Sequence, residues 1–318
     1  MRRTLLAEAT LGDGRRLQVV TALPEDAEML ARVIVEAFSS RPSVDPPPPA
    51  LSETPQAVEA ALAGGFGVLA LVEDEPAGVV IVSIDGDLAG IHRVSVRPEY
   101  QQHGVASVML AVVLEALSLR SIRRVELVAR AEFPQVVAWW ARQGFTEHGR
   151  EGTSLTLGQM LPVSVEAPTA DDTRALGRRL AGLLRRGDLI IASGDLGAGK
   201  TTLTQGLGEG LDVAGAVISP TFVLSRVHRA RSGGPDLVHV DAYRLGSAAE
   251  LDDLDLDAST EDSVTLVEWG TGIAEGLADE RLEIDIRRGL DPADETRWIF
   301  LNPIGERWRG VRDELEAL

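Results

Sequence analysis

A glycine-rich run directly after an apolar one constrains the fold of this 318-residue chain more than any other feature. Residues 189–192 are all apolar, and residues 194–201 read Gly-Asp-Leu-Gly-Ala-Gly-Lys-Thr. Glycines allow backbone angles that a side chain forbids, so successive N–H groups can turn toward one anion. A helix that begins at Lys200 adds its N-terminal N–H groups to the same place. The run therefore predicts a strand, a phosphate-binding loop and a helix, as in an α/β domain.

Two side chains of this loop carry the expected chemistry. Lys200 would reach the β- and γ-phosphates of a nucleotide, and the Thr201 hydroxyl would ligate Mg²⁺. Lys200 is also the single lysine among 31 basic residues, and its compact ammonium suits a site crowded with phosphates. The residues predicted to hold the nucleotide are Gly194, Asp195, Gly197, Ala198, Gly199, Lys200, Thr201 and Thr202.

Two carboxylates follow apolar strands later in the chain. Asp241 comes after residues 237–240, and Glu268 comes after residues 264–267. If these strands run parallel to the strand before the loop, both carboxylates emerge at the same edge of the sheet. One would hold Mg²⁺, and the other would orient the attacking water. A solvated carboxylate at a strand end is the alternative for each of them.

The choice of nucleotide follows from sequence elements that are missing. GTPases of the common class read guanine with an Asn/Thr-Lys-x-Asp loop, which needs a second lysine that this chain lacks. The chain also has no Leu-Ser-Gly-Gly-Gln stretch of the kind found in ABC-type ATPases. ATP with Mg²⁺ is therefore the predicted ligand pair. A kinase that phosphorylates a small molecule is disfavoured, because no lid rich in arginine is evident.

Four motifs of the second half occur in one order. They are the loop with Thr202 after it, Ser-Pro-Thr-Phe at 219–222, His-Val-Asp-Ala-Tyr-Arg-Leu at 239–245 and Val-Glu-Trp at 267–269. In this order the motifs resemble the TsaE family, the small ATPases of bacterial tRNA threonylcarbamoyladenosine synthesis. The resemblance covers residues 167–301. Gly270, which follows the last motif, is a minor departure from the family pattern.

The resemblance implies a function and a set of residue roles. ATP hydrolysis would support TsaB- and TsaD-like partners, which transfer threonylcarbamoyl to adenosine 37 of tRNAs that read ANN codons. The tRNA would thus be an indirect partner. The resemblance places Thr221 in a switch-like segment near the γ-phosphate, Asp241 at Mg²⁺ and Trp269 beside the ATP. It implies that Glu268 acts in catalysis, together with Lys200 and Thr221.

The first half carries a different loop, Val-Ser-Val-Arg-Pro-Glu-Tyr-Gln-Gln-His-Gly-Val-Ala at 94–106. Its Gln-x-x-Gly-x-Ala core stands on a predicted strand-to-helix turn, where backbone amides can hold a pyrophosphate. With Trp-Trp-Ala-Arg-Gln-Gly-Phe downstream at 139–145, it resembles the acetyl-CoA motif of GNAT acetyltransferases over residues 17–157. The resemblance implies that acetyl-CoA lies on Val96, Gln101, His103, Gly104, Val105 and Ala106.

The sequence does not assign the catalytic groups of this half. Many GNAT members place a tyrosine four residues before the Gly-Phe pair, as the acid for the departing thiolate. This chain has Trp140 there, and an indole N–H is not a usable acid. His92 or a carboxylate could take the proton of an acceptor amine, but the spacing singles out neither. N-acetyl transfer and acyl-CoA binding without catalysis both stay open.

Composition sets the expectations about partners and location. The net charge of −18 disfavours direct binding to the phosphate backbone of a nucleic acid. The absence of cysteine excludes thiol catalysis and a Cys-ligated zinc site. No apolar run approaches membrane-spanning length, and the N-terminus does not read as a signal peptide. These features predict a cytoplasmic protein with no membrane partner.

The predicted architecture has two domains. Residues 1–162 form an α+β, GNAT-like acetyl-CoA-binding domain, and residues 163–318 form an α/β, TsaE-like P-loop ATPase domain. The second domain is expected to have a mostly parallel sheet with a strand at 221–226, and residues 161–169 contain the boundary. The proline-rich residues 42–49 form a stiff loop. The first hypothesis is a fused ATPase and acetyltransferase, and the alternative is a nucleotide-dependent regulatory or scaffold protein.

Overall fold

The computed structural model describes residues 3–220, 222–254, 262–289 and 294–318. The chain divides into two compact units, Met1–Leu161 and Pro162–Leu318. Each unit has its own sheet and its own buried core.

The first unit is built on an eight-stranded sheet with the order β1-β2-β3-β4-β5-β6-β8-β7. All neighbouring strands are antiparallel except β5 and β6, which are parallel. The strands are β1 (Leu5–Thr10), β2 (Arg16–Thr21), β3 (Gly65–Val72), β4 (Glu75–Asp85), β5 (Leu88–Val96), β6 (Arg124–Arg130), β7 (Thr146–Glu151) and β8 (Ser154–Met160).

Helices cover both faces of this sheet. They are α1 (Ala27–Ser39), α2 (Pro55–Ala63), α3 (Val105–Ser118) and α4 (Pro134–Arg142). Side chains alternate between the two faces of a strand. Val68 and Ala70 accordingly lie in the core that contains α3 and α4, while Leu69 lies in the core that contains α1 and α2. Strand β3 is almost continuously apolar because both of its faces are buried.

The parallel pair at the centre of this sheet is short. Strands β5 and β6 pair at three positions only, the last of which is Gly90↔Glu126. Beyond that point β5 continues to Val96, and β6 continues to Arg130 alongside β8. The two strands therefore diverge and leave an opening between them.

The proline-rich loop at 42–49 is fastened to both diverging strands. Arg130, at the end of β6, donates from Nη1 to the Pro46 carbonyl at 3.0 Å. Arg41, just before the loop, donates from Nη2 to the Val94 carbonyl of β5 at 3.3 Å. These two hydrogen bonds connect the start and the middle of the proline-rich region to β5 and β6.

The second unit contains a seven-stranded sheet with the order β11-β12-β13-β10-β14-β15-β9. Its strands are β9 (Val163–Ala167), β10 (Leu189–Ser193), β11 (Ser225–His228), β12 (Asp236–Asp241), β13 (Ser263–Glu268), β14 (Arg281–Arg288) and β15 (Arg297–Ile304). The helices described in this unit are α5 (Ala170–Ala181), α6 (Lys200–Gly210), α7 (Ala248–Asp252), α8 (Glu306–Arg309) and α9 (Arg312–Glu316).

This sheet is mixed. The four central strands, β12, β13, β10 and β14, are parallel, whereas β11, β15 and β9 run antiparallel to their neighbours. The expectation of a mostly parallel sheet is therefore not confirmed. The reason is that β11 is followed directly by β12, and β14 by β15. A short direct connection joins antiparallel strands, whereas parallel neighbours need a longer crossover.

The structure adds a strand that the sequence did not indicate, and one predicted strand starts later than expected. The boundary segment at 161–169 contains strand β9, in which Val163 and Ala167 are buried. The strand expected at 221–226 begins only at Ser225, because residues 222–224 form a turn in which the N–H of Leu224 donates to the Pro220 carbonyl. Thr221 itself lies outside the described residues.

Helix α6, which follows the phosphate-binding loop, packs closely against α5. A Cβ atom added at Gly206 of α6 would lie 2.1 Å from the Arg174 carbonyl oxygen of α5. Glycine at this position therefore allows the two helix backbones to approach. The close contact fixes α6 and also the end of the phosphate-binding loop, which leads into α6.

Candidate functional sites

The predicted phosphate-binding loop has the backbone conformation that its glycines allow. The φ angles of Gly194, Gly197 and Gly199 are 133°, 76° and 117°. Gly199 is also the N-cap of α6. A Cβ atom at Gly194 would lie 2.3 Å from the carbonyl oxygen of Ile286 in β14, so the loop is packed tightly against the sheet. The loop and the N-terminus of α6 together form a cradle that fits a phosphate group.

The side chain of Lys200 is buried beside the loop and is only 5% exposed. Its Nζ donates to the carbonyls of Gly194 at 2.6 Å and Asp195 at 3.0 Å. Nζ also lies 3.7 Å from the centre of the Trp269 ring. Burial lowers the pKa of Lys200, although the negative charge of Glu268 opposes this effect. The ammonium thus has local acceptors that phosphate oxygens could replace.

Trp269 follows β13 in an unusual backbone conformation. Its φ angle is 62°, a left-handed value that is uncommon for a bulky residue. The backbone N–H donates to the Ala192 carbonyl at 2.9 Å, and the ring packs on Tyr243 with a centroid distance of 5.1 Å. This geometry places the indole over Lys200.

Glu268 ends β13, the parallel neighbour of β10, and is 3% exposed. The Thr201 hydroxyl donates to this carboxylate, at 3.1 Å from Oε1 and 3.2 Å from Oε2. The Thr204 hydroxyl lies 3.4 Å from Oε1, and Nε2 of His239 lies 2.9 Å from the same atom. The structure therefore brings the predicted metal ligand Thr201 and the predicted catalytic residue Glu268 into direct contact.

Asp241 ends β12, one strand farther from the phosphate-binding loop, and pairs with Glu268 in the sheet register. Its carboxylate accepts hydrogen bonds from the Ser219 hydroxyl at 2.8 Å and from the Tyr243 N–H at 3.1 Å. Asp241 thus lies at the same edge of the sheet as Glu268. Its hydrogen bond with Ser219 fixes the segment just before Thr221.

Sequence reasoning assigned no role to three residues that contact Asp241 or Glu268: Thr204, Ser219 and His239. His239 lies two residues before Asp241 on the same strand, so a period of two places both side chains on one face. Thr204 lies one helical turn after Lys200, whose carbonyl accepts its hydroxyl at 2.9 Å. Both spacings can be seen in the sequence, but Glu268, which contacts Thr204 and His239, lies on another strand.

The predicted loop of the first unit lies at the diverging end of β5. Gly104 has φ 87° and is the N-cap of α3, a helix of 14 residues. The Gln101 side chain donates to the Val96 carbonyl at 2.9 Å and closes the loop, while Nδ1 of His103 lies 2.6 Å from the Gln101 carbonyl. Val105 is buried and Ala106 is half-buried at the start of α3. A helix N-terminus beside an opening in the sheet fits a pyrophosphate group.

Trp140 has a structural position in this unit. It is buried and packs edge-on against Trp139 and Phe145, with centroid distances of 4.6 and 4.9 Å.

Nε2 of His92 lies 2.8 Å from the Ser83 hydroxyl. Desolvation by its neighbours, with a contribution from Arg93, lowers the pKa of His92, although the ring keeps contact with solvent.

Comparisons with known proteins match both halves of the chain. The family model for threonylcarbamoyl adenosine biosynthesis protein TsaE matches residues 167–297, and the acetyltransferase (GNAT) family model matches residues 33–145. The TsaE protein of Streptomyces coelicolor is 61% identical over 137 residues, which are 42% of this chain and 93% of the relative. The TsaE protein of Mycobacterium bovis is 44% identical over 155 residues, 46% of this chain and 90% of the relative.

One solved structure, YdiB of Bacillus subtilis, is 32% identical and covers 49% of this chain and 94% of its own, with a TM-score of 0.41. The relatives match along nearly their whole length, and the GNAT model precedes that match in the chain. The chain therefore belongs to the TsaE family through its second half and carries a GNAT-family domain ahead of it.

Proposed function

We propose that the second unit hydrolyses ATP in the biosynthesis of threonylcarbamoyladenosine on tRNA. The observation that carries this proposal is the contact between Thr201, at the start of the helix after the phosphate-binding loop, and the buried carboxylate of Glu268. In P-loop nucleotide hydrolases, Mg²⁺ is held by the P-loop Ser or Thr and by a carboxylate, and this contact brings two such groups together.

Lys200 provides the positive charge for the phosphates. Its ammonium is held by the Gly194 and Asp195 carbonyls, and phosphate oxygens would take over these hydrogen bonds. Because the Lys200 side chain is already buried, ATP binding would remove little further water from it. Trp269 lies over the ammonium and would form one wall of the ATP site.

The metal would be held by Thr201 and, through water, by the carboxylates of Asp241 and Glu268. When bound, Mg²⁺ neutralises charge on the phosphates. The Thr201 hydroxyl would keep its hydrogen bond to Glu268 and offer a lone pair of its oxygen to the metal, because a hydroxyl has separate donor and acceptor positions. We assign Glu268 the additional role of orienting the attacking water. Thr221 keeps its predicted position near the γ-phosphate, outside the described residues.

TsaB- and TsaD-like proteins are the proposed partners, and the tRNA would be reached through them. Large apolar side chains stand exposed on the segments around the site, with Phe222 at 86% and Leu196 at 80%. The others are Ile218, Val223 and Tyr243. We take these exposed apolar side chains as the part of the unit that contacts the partner proteins. The net charge of −18 favours a protein over the tRNA as the direct partner.

Within the described residues, no helix has the length and apolar character needed to cross a membrane. A cytoplasmic location, where tRNA and ATP are available, forms part of the proposal.

For the first unit we propose binding of acetyl-CoA and transfer of its acetyl group to an amine. The diverging strands β5 and β6, with the N-terminus of α3 beside them, support this proposal. Trp140 packs in the core and supplies no acid, so the departing thiolate would receive no proton from this position. His92 is the candidate base, because its lowered pKa keeps the imidazole neutral near pH 7.

ATP hydrolysis by the full chain, measured with and without TsaB- and TsaD-like proteins, tests the proposal. We expect hydrolysis that the partners stimulate and that Glu268→Gln abolishes. A regulatory or scaffold protein, the alternative, would bind ATP with little turnover and would lose no activity on this substitution. In a strain that lacks TsaE, the full chain should restore the modified adenosine and Lys200→Ala should not.

A further inference from the structure

A buried polar cluster lies directly beneath the phosphate-binding helix. Its centre is Oε1 of Glu268, which lies near one imidazole nitrogen, of His239, and two threonine hydroxyls, of Thr201 and Thr204. His239 is fully buried in β12, and Glu268 is nearly so. A carboxylate that loses a hydrogen-bond donor at such depth cannot replace it with solvent, so each donor matters for its orientation.

The contact with Glu268 identifies which ring nitrogen of His239 faces the carboxylate. An ionised carboxylate only accepts hydrogen bonds, so Nε2 of His239 must donate at 2.9 Å. Nδ1 of His239 is buried and has no hydrogen-bond partner among the described residues. Among the described residues, the ring is therefore held by its Nε2 contact with Glu268 alone.

The two hydroxyls are less suited to fixing the carboxylate. Thr204 has one proton, and its contact with the Lys200 carbonyl at 2.9 Å is shorter than its contact with Glu268 at 3.4 Å. Thr201 lies 3.1 Å from Oε1 and 3.2 Å from Oε2, so its single proton does not select one carboxylate oxygen. His239 is thus the donor that contacts Oε1 alone, at 2.9 Å, which is the shortest distance to this atom among the three donors.

We infer that His239 is a positioning residue for Glu268. By holding Oε1, it leaves Oε2 directed toward Thr201 and the water that the carboxylate would orient. This inference rests on the proposed ATP hydrolysis, and it assigns a role to a side chain that touches neither nucleotide nor metal. Partners that orient a metal-site carboxylate typically contribute about 10- to 100-fold in activity or metal affinity.

Three variants of the full chain test this role. His239→Leu removes the donor, and His239→Gln retains an N–H at a similar reach. His228→Leu is the matched control, because His228 is also buried, lies 6.3 Å from His239 between ring centres, and belongs to the adjacent strand β11. We expect His239→Leu to lower kcat about 10- to 100-fold with KM for ATP changed less than about twofold. His239→Gln should recover most of kcat, and His228→Leu should keep it.

Equal losses in His239→Leu and His228→Leu would overturn the inference, because they would indicate a general effect of packing. Unchanged kcat in His239→Leu would also overturn it while leaving the proposed function intact. If the wild-type chain shows no hydrolysis, the proposed function fails, and the Mg²⁺ dependence of ATP affinity becomes the readout. His239→Leu should then weaken the gain in affinity from Mg²⁺ about 10-fold or more, and His239→Gln should not. An equal gain in all variants would overturn the inference.

Discussion

The two units each present a loop that leads into a helix through a left-handed glycine, and the loops differ in what surrounds them. Gly199 precedes α6 with φ 117°, and Gly104 precedes α3 with φ 87°. Both helix N-termini can therefore bind an anion by the same backbone groups. Around the first loop, Lys200 and Glu268 are buried, whereas around the second, Gln101 is exposed and His103 is half-exposed.

The difference agrees with the proposal that the first loop serves a reaction at a phosphate and the second serves to hold a pyrophosphate. Charged groups act more strongly when water is excluded, so a buried ammonium and carboxylate suit charge that develops during phosphoryl transfer. Exposed polar groups are sufficient to hold a pyrophosphate while the reaction occurs elsewhere. The backbone shows the same contrast, because a Cβ at Gly194 would meet Ile286 and a Cβ at Gly104 would meet nothing within 4 Å.

The largest expected effect is on hydrolysis by Lys200→Ala. Removal of the buried ammonium should lower kcat/KM for ATP about 100- to 1,000-fold, because no solvent cation replaces it. Steady-state hydrolysis with the partner proteins measures this. Lys200→Arg is the control for charge alone and should not restore activity, since the guanidinium is larger and planar. Wild-type rates of ATP hydrolysis in Lys200→Ala would show that the buried ammonium does not distinguish the first loop from the second.

The next effect concerns the packing of the two loops. Gly194→Ala should lower the free energy of unfolding of the second unit by about 3 kcal/mol, from the clash with the Ile286 carbonyl and the strained φ of 133°. Chemical denaturation of the full chain, with a probe in each unit, measures it. A loss below about 1 kcal/mol would mean that the loop is not packed tightly.

Gly104→Ala is the matched substitution in the first unit. The open surroundings leave only the strain of φ 87°, so the free energy of unfolding should fall by about 1 kcal/mol. Isothermal titration with acetyl-CoA should also show weaker binding, because the loop conformation would shift. A loss as large as that of Gly194→Ala would contradict the difference between a packed loop and an open one.

The smallest effect is expected at the exposed ion pair that accompanies the proline-rich loop. Arg130 lies 2.5 Å from Glu132 and lowers the pKa of that carboxyl to about 2. Because the folded pKa lies below the ordinary 4.5, the pair stabilises the first unit above pH 4.5 and loses this contribution as the pH falls toward 2. Glu132→Gln should remove this part of the pH dependence of the unfolding midpoint. Identical pH profiles for both proteins would show that the pair contributes nothing.

Much of both sites could be predicted from the sequence, because their central features are local. The glycines of the phosphate-binding loop, Lys200 at the helix start and Gly104 before α3 follow from backbone freedom and helix polarity within a few residues. The ends of β12 and β13 were readable from apolar runs that stop at Asp241 and Glu268. These elements need no knowledge of which strands become neighbours.

The arrangement of those elements was decided by the tertiary structure. Strand order is set by pairing between distant segments, which leaves no periodic trace in the chain. Only the placement of β13 beside β10 brings Glu268 onto Thr201, and only the placement of β12 beside β13 brings His239 onto Glu268. The antiparallel edges of the second sheet likewise depend on which strands pair. The sequence by itself determined where phosphate can be bound, and the sheet decided which buried groups surround it.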